Sequence, residues 1–442
     1  MNQPKIKAGA LPVIIPRPEH NVSRADISKN ALKVLYRLKE AGYQGFLVGG
    51  GVRDLLLGMS PKDFDVVTDA HPEELRRLFR NCRLIGRRFR LAHIYFGRDV
   101  IEVATFRGAQ EEATAEELAE KVLMDDTGRI IRDNRYGTIE EDVWRRDFTA
   151  NALYYNIKDF SIWDYAGGVH DVRARVLRLI GDAEKRYRED PVRMLRAVRF
   201  AAKLDFDIHR ESERPLEELA PLLRDVPAAR LLDETLKLFL TGHAVRSFEL
   251  LREHGLFAYL FPFSDRTLDD PECENFRRLV EQAMKNTDTR VAEGKPVTPT
   301  FLFAVFLWEP VRQLALDFQE DGMSEIQALQ MASDEVVLNQ QEYISIPRRV
   351  SGPARDILSM QPRFRRNNAK RARRLLDHPR FRAAYDFLLL RTEAGEETKE
   401  LAEWWTKIQT PSSDAKRGEV KPLRTRSRRP PRRRRPDNKR KS

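Results

Sequence analysis

Cysteine is almost missing from this chain, long apolar runs are missing altogether, and outside the last stretch so is any net charge. Of 442 residues only Cys82 and Cys273 are cysteine. That number excludes a disulfide framework and a four-thiolate zinc site. The longest uninterrupted apolar run, Phe301 to Trp308, has eight residues. A membrane-spanning helix needs roughly 20, so no membrane span is expected. The first twenty residues are interrupted by Pro12, Pro16 and Pro18 and contain no apolar h-region, so a cleaved secretory signal is not expected either. Together these absences lead to the expectation of a soluble, cytoplasmic protein.

The formal net charge is +11, but residues 421–442 alone hold twelve Lys or Arg against the single acid Asp437. The remaining 420 residues carry 67 basic and 67 acidic side chains, which leaves them neutral as a set. The tail has no aromatic residue and cannot bury enough apolar surface to offset its ordering entropy, so disorder is expected there. It reads either as a solubilising extension or as an electrostatic tether for an anionic polymer. The tether is favoured because Arg-rich segments gain affinity by displacing counterions from phosphates. Without stacking groups the tail should not read bases itself.

Hydrophobic residues make up 41 %, enough for real cores, and the length suits two or three domains. Ser28 to Gly42 reads as a capped amphipathic helix, with Ala31, Leu32, Leu35 and Leu38 at helical spacing. Phe46-Leu47-Val48 reads as a short buried strand closed by three glycines, with a helix from Val52 to Gly58. A half-buried strand is expected over Asp63 to Val67, a helix over His71 to Phe79, and paired strands at Leu91–Phe96 and Val100–Thr105. Periodicity fades over 108–136, which reads as a mobile excursion, and resumes at Ile139. Residues from Asn151 to Arg178 read as strands around the Ala166-Gly167-Gly168 turn. Helical spacing dominates from Asp182 to about Ile408. The expected organisation is α+β: an extended segment at 1–27, a head with a small mixed sheet at 28–181, a helical neck at 182–260, a helical body at 261–410 and a tail at 411–442.

Four pieces of the head and neck carry chemistry. The first is Gly49-Gly50-Gly51-Val52-Arg53, a strand that runs through glycines into a helix. Such a turn can cradle phosphate, with Arg53 in reach, although plain turn chemistry looks the same. The second is Asp63-Phe64-Asp65. On a strand its two carboxylates share one face and repel unless cations lie between them. A pair of Mg²⁺ ions suits such a site, as hard cations that take oxygen ligands and leave positions for substrate phosphate. Acid-x-acid should occur about ten times by chance among 68 acids, so its position thirteen residues after Gly50 is what distinguishes it. The third is Glu102, a lone acid among apolar strand residues, either facing water at an edge or serving as a further metal ligand beside Asp63 and Asp65. The fourth is Arg145-Arg146-Asp147 at a helix end, together with Glu189-Asp190-Pro191-Val192-Arg193 opening a helix whose flank holds Arg193, Arg196 and Arg199. An Asp and an Arg one turn apart can meet the edge of a base, or simply pair with each other.

In this order and spacing the four motifs resemble the class II polymerase-beta-like nucleotidyltransferases, the group of the tRNA CCA-adding enzymes and the bacterial poly(A) polymerases. The likeness covers residues 28–260 and reaches the basic tail more loosely. Three features favour the poly(A) polymerase branch. The stretch Leu84 to His93 looks like the form that branch takes. Eight histidines and one His-Asp pair, His170-Asp171, leave no room for the appended phosphohydrolase domain of some CCA-adding enzymes. The Arg-rich tail is similar as well.

The resemblance implies transfer of AMP from ATP to an RNA 3′-hydroxyl, release of pyrophosphate and a role in RNA turnover. Asp63 and Asp65 would hold two Mg²⁺, with Mn²⁺ as an alternative. Asp147 would complete the catalytic set, with Glu102 as a second candidate for that place. Gly50, Arg53 and Arg146 would hold the triphosphate and sugar, while Asp190 and Arg193, with Arg196 on the same flank, would read the base. Partners implied are RNA 3′ ends and ATP, with RNA-decay proteins as a further class, and a monomer is expected. A CCA-adding enzyme is the alternative on the same fold. An RNA-binding protein with a degenerate head is the alternative from another class. In the body, Arg363 to Arg366 and Lys370 to Arg374 form a basic patch suited to RNA phosphate or to plain solvation.

Overall fold

A computed structural model describes residues 11–86, 90–108, 122–124, 130–133, 136–365 and 369–409. The strands of the head are Val13–Ile15 (β1), Gly45–Val48 (β2), Asp65–Thr68 (β3), Cys82–Ile85 (β4), Leu91–Phe96 (β5), Asp99–Thr105 (β6), Val122–Met124 (β7), Ile130–Asp133 (β8), Leu153–Asn156 (β9) and Ile162–Asp164 (β10). One sheet has the order β1-β10-β9-β2-β3-β6-β5-β4, and β7 and β8 form a separate pair. Only the β3–β6 pairing within the large sheet is parallel. The fully buried strands β2 and β9 lie at its centre, where an uninterrupted apolar run belongs. The lead-in, expected as extended, supplies β1 at the sheet edge through pairing with β10.

Local chemistry explains where elements begin. Ser28 accepts from Asn30 N and opens Lys29–Glu40 (α1), which buries Ala31, Val34, Leu35 and Leu38. Gly50–Leu56 (α2) begins two residues earlier than expected, directly behind Gly49, whose φ of +73° is reserved for glycine. Pro72–Leu78 (α3) follows β3. Strand β3 starts at Asp65, not at Asp63. Its partner β2 ends at Val48, opposite Asp65, so Asp63 and Phe64 have no strand to pair with. Ile139–Arg145 (α4) carries a Thr138/Glu141 capping box. The expected turn at Ala166-Gly167-Gly168 opens a helix instead, Gly168–Ala174 (α5). The buried Asp164 carboxylate accepts from the N–H groups of Ala166, Gly168 and Val169 at 2.9–3.1 Å and so caps it.

From Asp182 onward the expected helical spacing holds, apart from Asp207–Ile208, which pairs in parallel with Val176–Leu177. Ala183–Glu189 (α6) and Val192–Leu204 (α7) open the neck, and α7 buries Val192, Leu195, Val198 and Ala202 as expected. The end of the head that leads into the neck is tied back along the backbone, through Thr149 N to Arg178 O at 2.9 Å and Ile180 N to Asp147 O at 2.8 Å. One apolar cluster runs from the head through the neck into the body, where Leu302 to Trp308 of the eight-residue run are buried in helix Pro299–Glu320 and Phe301 packs against them half-buried. A second cluster around Phe364 and Trp405 closes the C-terminal helices. The expected excursion contains the β7–β8 pair, and apart from its ends at Gly108 and Tyr136 the rest of it lies outside the described residues. The same is true of the basic tail, of Arg87 to Phe89, and of the side chains of Arg366, Lys370, Arg371 and Arg373. No described helix is long and apolar enough to cross a membrane. Both cysteines are free, Cys273 buried and Cys82 half-buried.

Candidate functional site

Strand register gathers the site at one end of the sheet. Val48 pairs with Asp65 across β2–β3 and with Tyr154 across β2–β9, so the glycine turn that follows Val48 lies beside the aspartates. A Cβ on Gly51 would stand 3.4 Å from the Asp63 carbonyl oxygen, and one on Gly49 would stand 3.7 Å from Arg146 Nη1. The parallel β3–β6 pairing matches Val66 with Val103 and so brings Glu102 alongside Asp65. The Asp65 carboxyl is pushed up to about 6 by the surrounding protein first and then by the Glu102 and Asp63 charges, while Arg146 pulls it down. Three carboxylates and one guanidinium thus share a field with an uncompensated negative charge.

They do not all converge. The Glu102 carboxylate is half exposed and turns to His93 Nε2 at 3.3 Å, its direct cross-strand partner on β5. Among the described residues no three His, Cys, Asp or Glu side chains are gathered closely enough to hold an ion. Glu102, expected as a third ligand, is therefore a neighbour of the aspartate pair and is engaged elsewhere.

Arg146 is held in place by residues that sequence reasoning missed. Its Nε and Nη2 donate to Asp142 Oδ2 at 3.1 and 2.8 Å, and its Nε also donates to Tyr154 OH at 2.8 Å. Tyr154 OH in turn donates to the same carboxylate at 2.7 Å. Asp142 lies one helical turn before Arg146, a spacing that signals an ion pair. Tyr154 carried no local signal.

Arg53 and Asp147 are placed differently from expectation. Arg53, expected on phosphate, is only 2 % exposed. Its Nε and Nη2 donate to Asp54 Oδ1 at 2.9 and 2.6 Å, and Nη1 donates to Asn151 Oδ1. Its guanidinium presses against Gly50, where a Cβ would meet Nη2 at 3.2 Å. Glycine at 50 thus leaves room for an inward-facing clamp. Asp147, expected to complete the catalytic set, is paired with Arg196 from the neck, at 2.9 Å to Nε and 2.5 Å to Nη2. It also accepts from Phe148 N at 2.8 Å and Asn151 Nδ2 at 3.3 Å. Burial would raise its pKa, but Arg196 and these hydrogen bonds outweigh burial and hold it below the usual carboxylate value. Arg196, expected at the nucleotide, is thereby committed to Asp147.

The missed centre of this junction is Phe200, whose ring carries Arg53, Arg196 and Arg199 at 5.6, 5.2 and 4.3 Å from its centroid. Arg199 also pairs with the buried Glu234 at 3.1 Å. Asp190 and Arg193 do not pair with each other. Asp190 meets Arg230 at 2.7 Å, while Arg193 donates to Glu189 at 3.1 Å and to the Arg186 carbonyl at 2.7 Å.

Three families match in chain order: "Poly A polymerase head domain" over 45–178, "Probable RNA and SrmB- binding site of polymerase A" over 205–268, and "Polymerase A arginine-rich C-terminus" over 321–441. The Poly(A) polymerase I of Salmonella typhimurium is 48 % identical over 413 residues, covering 93 % of this chain and 88 % of its own. The CCA-adding enzyme of Geobacillus stearothermophilus is 36 % identical over 234 residues, 52 % of this chain and 54 % of its own. In fold, the chain is similar to the Thermotoga maritima CCA-adding enzyme complexed with tRNA, with a TM-score of 0.61 at 22 % identity over 90 % of this chain and 87 % of that one. Likeness to the Salmonella protein covers 93 % of the chain, where likeness to the Geobacillus enzyme covers about half of it: this chain belongs to the bacterial poly(A) polymerase family.

Proposed function

We propose that Asp63 and Asp65 are the catalytic carboxylates of this polynucleotide adenylyltransferase, which adds AMP from ATP to RNA 3′ ends without a template. The observation that carries the assignment is the place of Asp65 beside the glycine turn with Asp63 and Glu102, where the enclosing protein first and those two charges after it push its carboxyl up to about 6. Two aspartates with oxygen donors only are the protein share of ligands that Mg²⁺ accepts, since that ion takes one or two carboxylates and completes its shell with water and substrate phosphate. The donor set therefore fits Mg²⁺, with Mn²⁺ as a substitute. Bound there, such ions would favour ionisation of the attacking hydroxyl and offset charge on the entering and leaving oxygens.

The protein supplies the rest. Arg146, fixed by Asp142 and Tyr154 and adjoining Gly49, provides positive charge for the triphosphate, and Gly50 lets the chain approach it. Asp190 and Arg193 face the base and take the part that a template strand would otherwise play. Arg53, Asp147 and Arg196 position these groups. The RNA 3′-hydroxyl attacks the α-phosphorus of ATP, the α–β bridging bond breaks, and pyrophosphate leaves as AMP joins the RNA.

The same reading includes a monomer working in the cytoplasm, tails that promote RNA turnover, and RNA-decay proteins as partners. Its units are an N-terminal segment at 1–27, a catalytic head at 28–181, a base-reading neck at 182–260, an RNA-gripping body at 261–410 and a tethering tail at 411–442. Deleting 421–442 should weaken RNA binding and flatten its salt dependence, and unchanged affinity across a salt titration contradicts the tether. Extension of a labelled oligo(A) primer with each nucleoside triphosphate tests the whole. Long ladders with ATP alone, lost in Asp63→Ala, are expected. A few added nucleotides with CTP used on tRNA ends would make it a CCA-adding enzyme, and no extension at all would leave an RNA-binding protein.

A further inference from the structure

Helix α4 ends at Arg145, and the two residues that follow are Arg146 and Asp147, so the position of its last turn fixes two site side chains at once. The final carbonyls of a helix have no donor within it, and a cation there is stabilising. Here the donor comes from the neck. Arg186 on α6 donates from Nη2 to the carbonyls of Arg145 and Arg146 at 3.1 and 2.6 Å. Its Nη1 donates to Glu189 Oε2 at 3.0 Å, and that same oxygen accepts from Arg193 Nη1 at 3.1 Å. Arg193 Nη1 also donates to the Arg186 carbonyl at 2.7 Å. One guanidinium therefore holds the backbone of the phosphate side and, through Glu189, the side chain on the base side.

This is not an ordinary solvated arginine. Its side chain is 14 % exposed, and its Nε is buried and meets no acceptor among the described residues. A buried donor left unpaired is costly, and the placement persists because the other two nitrogens reach acceptors on two different elements. Arg193 lies close enough to add like charge to that cost.

We propose that Arg186 is a positioning residue that sets the distance between the phosphate side of the nucleotide site, at Arg146 and Asp65, and the base side, at Asp190 and Arg193. The proposal rests on the reading of Asp190 and Arg193 as base-edge residues. Arg186 touches neither the reacting atoms nor the aspartate pair. Its loss lets the base side drift against a triphosphate that is still gripped, so it degrades nucleotide fit and selection more than phosphoryl chemistry.

The test is steady-state kinetics on an RNA primer with ATP and with CTP, for the full chain and for Arg186→Met, Arg186→Lys, Glu189→Gln and Arg193→Ala. In Arg186→Met, KM for ATP should rise about tenfold and the ATP-over-CTP preference should fall by about as much, the size expected for one charge-assisted hydrogen bond. The pH profile of kcat should keep its position, and Arg186→Lys should recover part of both losses. Should Arg186→Met fail to fold, Glu189→Gln decides, because it removes the shared negative charge between Arg186 and Arg193 and leaves the carbonyls of α4 capped; the same signature is expected at smaller size. An unchanged KM and unchanged preference, or an equal fall in kcat for both nucleotides, would overturn the proposal. Arg193→Ala separates the two levels. If it keeps the ATP preference, the base-edge reading fails. If it loses that preference while Arg186→Met and Glu189→Gln keep theirs, only the positioning role fails.

Discussion

Asp65 and Asp147 are the same residue type in the same head, and the fold shifts them in opposite directions. Asp65 faces other acids, Glu102 and Asp63, and its carboxyl rises to about 6. Asp147 faces Arg196, a backbone N–H and the Asn151 amide, and its carboxyl is held below the usual range although it is more deeply enclosed. Burial raises both and is the first cause of the Asp65 rise; the acids beside Asp65 add to it, whereas the guanidinium and hydrogen bonds at Asp147 overturn it. An acid whose charge is already matched has little to offer a metal ion and holds structure together. An acid crowded by like charge gains most from a cation. The comparison supports the proposal that catalysis belongs to the β2–β3 end of the sheet and that the Asp147–Arg196 pair at the junction of head and neck is scaffolding.

The largest effect expected is on turnover. Asp65→Asn should lower kcat by about 10³-fold or more, the several kcal/mol that metal-borne charge stabilisation contributes. Its melting temperature should stay level or rise, because a crowded like charge is removed. A fall in both would break the contrast. Next in size is stability. Asp147→Asn leaves Arg196 enclosed without its counter-charge and should cost about 3 kcal/mol in denaturant unfolding. Arg196→Met should cost about as much, and the double variant distinctly less than the sum of the two. Additive losses would show that the pair is not the unit proposed.

How much of this was legible in the sequence follows from distance along the chain. The Asp63-x-Asp65 motif, the glycine turn, the Arg145-Arg146-Asp147 block and the helical neck are local patterns, and all of them lie where the fold assembles the site. Partnerships over long separations were not legible. Asn151 lies 98 residues from Arg53, and Arg196 lies 49 residues from Asp147, so nothing near Arg53 or Asp147 indicated that its polar groups were already taken. Phe200 has nothing in its sequence surroundings to set it apart from other apolar helix residues, yet three guanidinium groups pack on its ring. Strand β3 starts two residues later than its alternation suggests, because the pattern continues past the point where its partner turns away. Glu102 was placed beside Asp65 correctly, but only the β5–β6 register reveals that His93 stands opposite it.

The smallest expected effect is the pH dependence of stability, in which the two aspartates should act with opposite sign. Asp65 binds its proton more tightly folded than unfolded. Its contribution is therefore present at low pH and lost as pH rises from about 4 through about 6. Asp147 is depressed, so its contribution is present above the unfolded carboxylate value and lost as pH falls below it. Thermal melts without divalent ions should show Asp65→Asn losing the first slope and Asp147→Asn losing the second. The Asp65 term is small because the residue is exposed and screened.

The most direct test of the central claim is a titration of the full chain with Mn²⁺, read by electron paramagnetic resonance as free ion disappears, in the presence of a non-hydrolysable ATP analogue. The account predicts that Asp65→Asn loses the protein-dependent binding while folded Asp147→Asn retains it within a few-fold. Retention in Asp65→Asn together with loss in Asp147→Asn would contradict it and return the metal to the junction between head and neck.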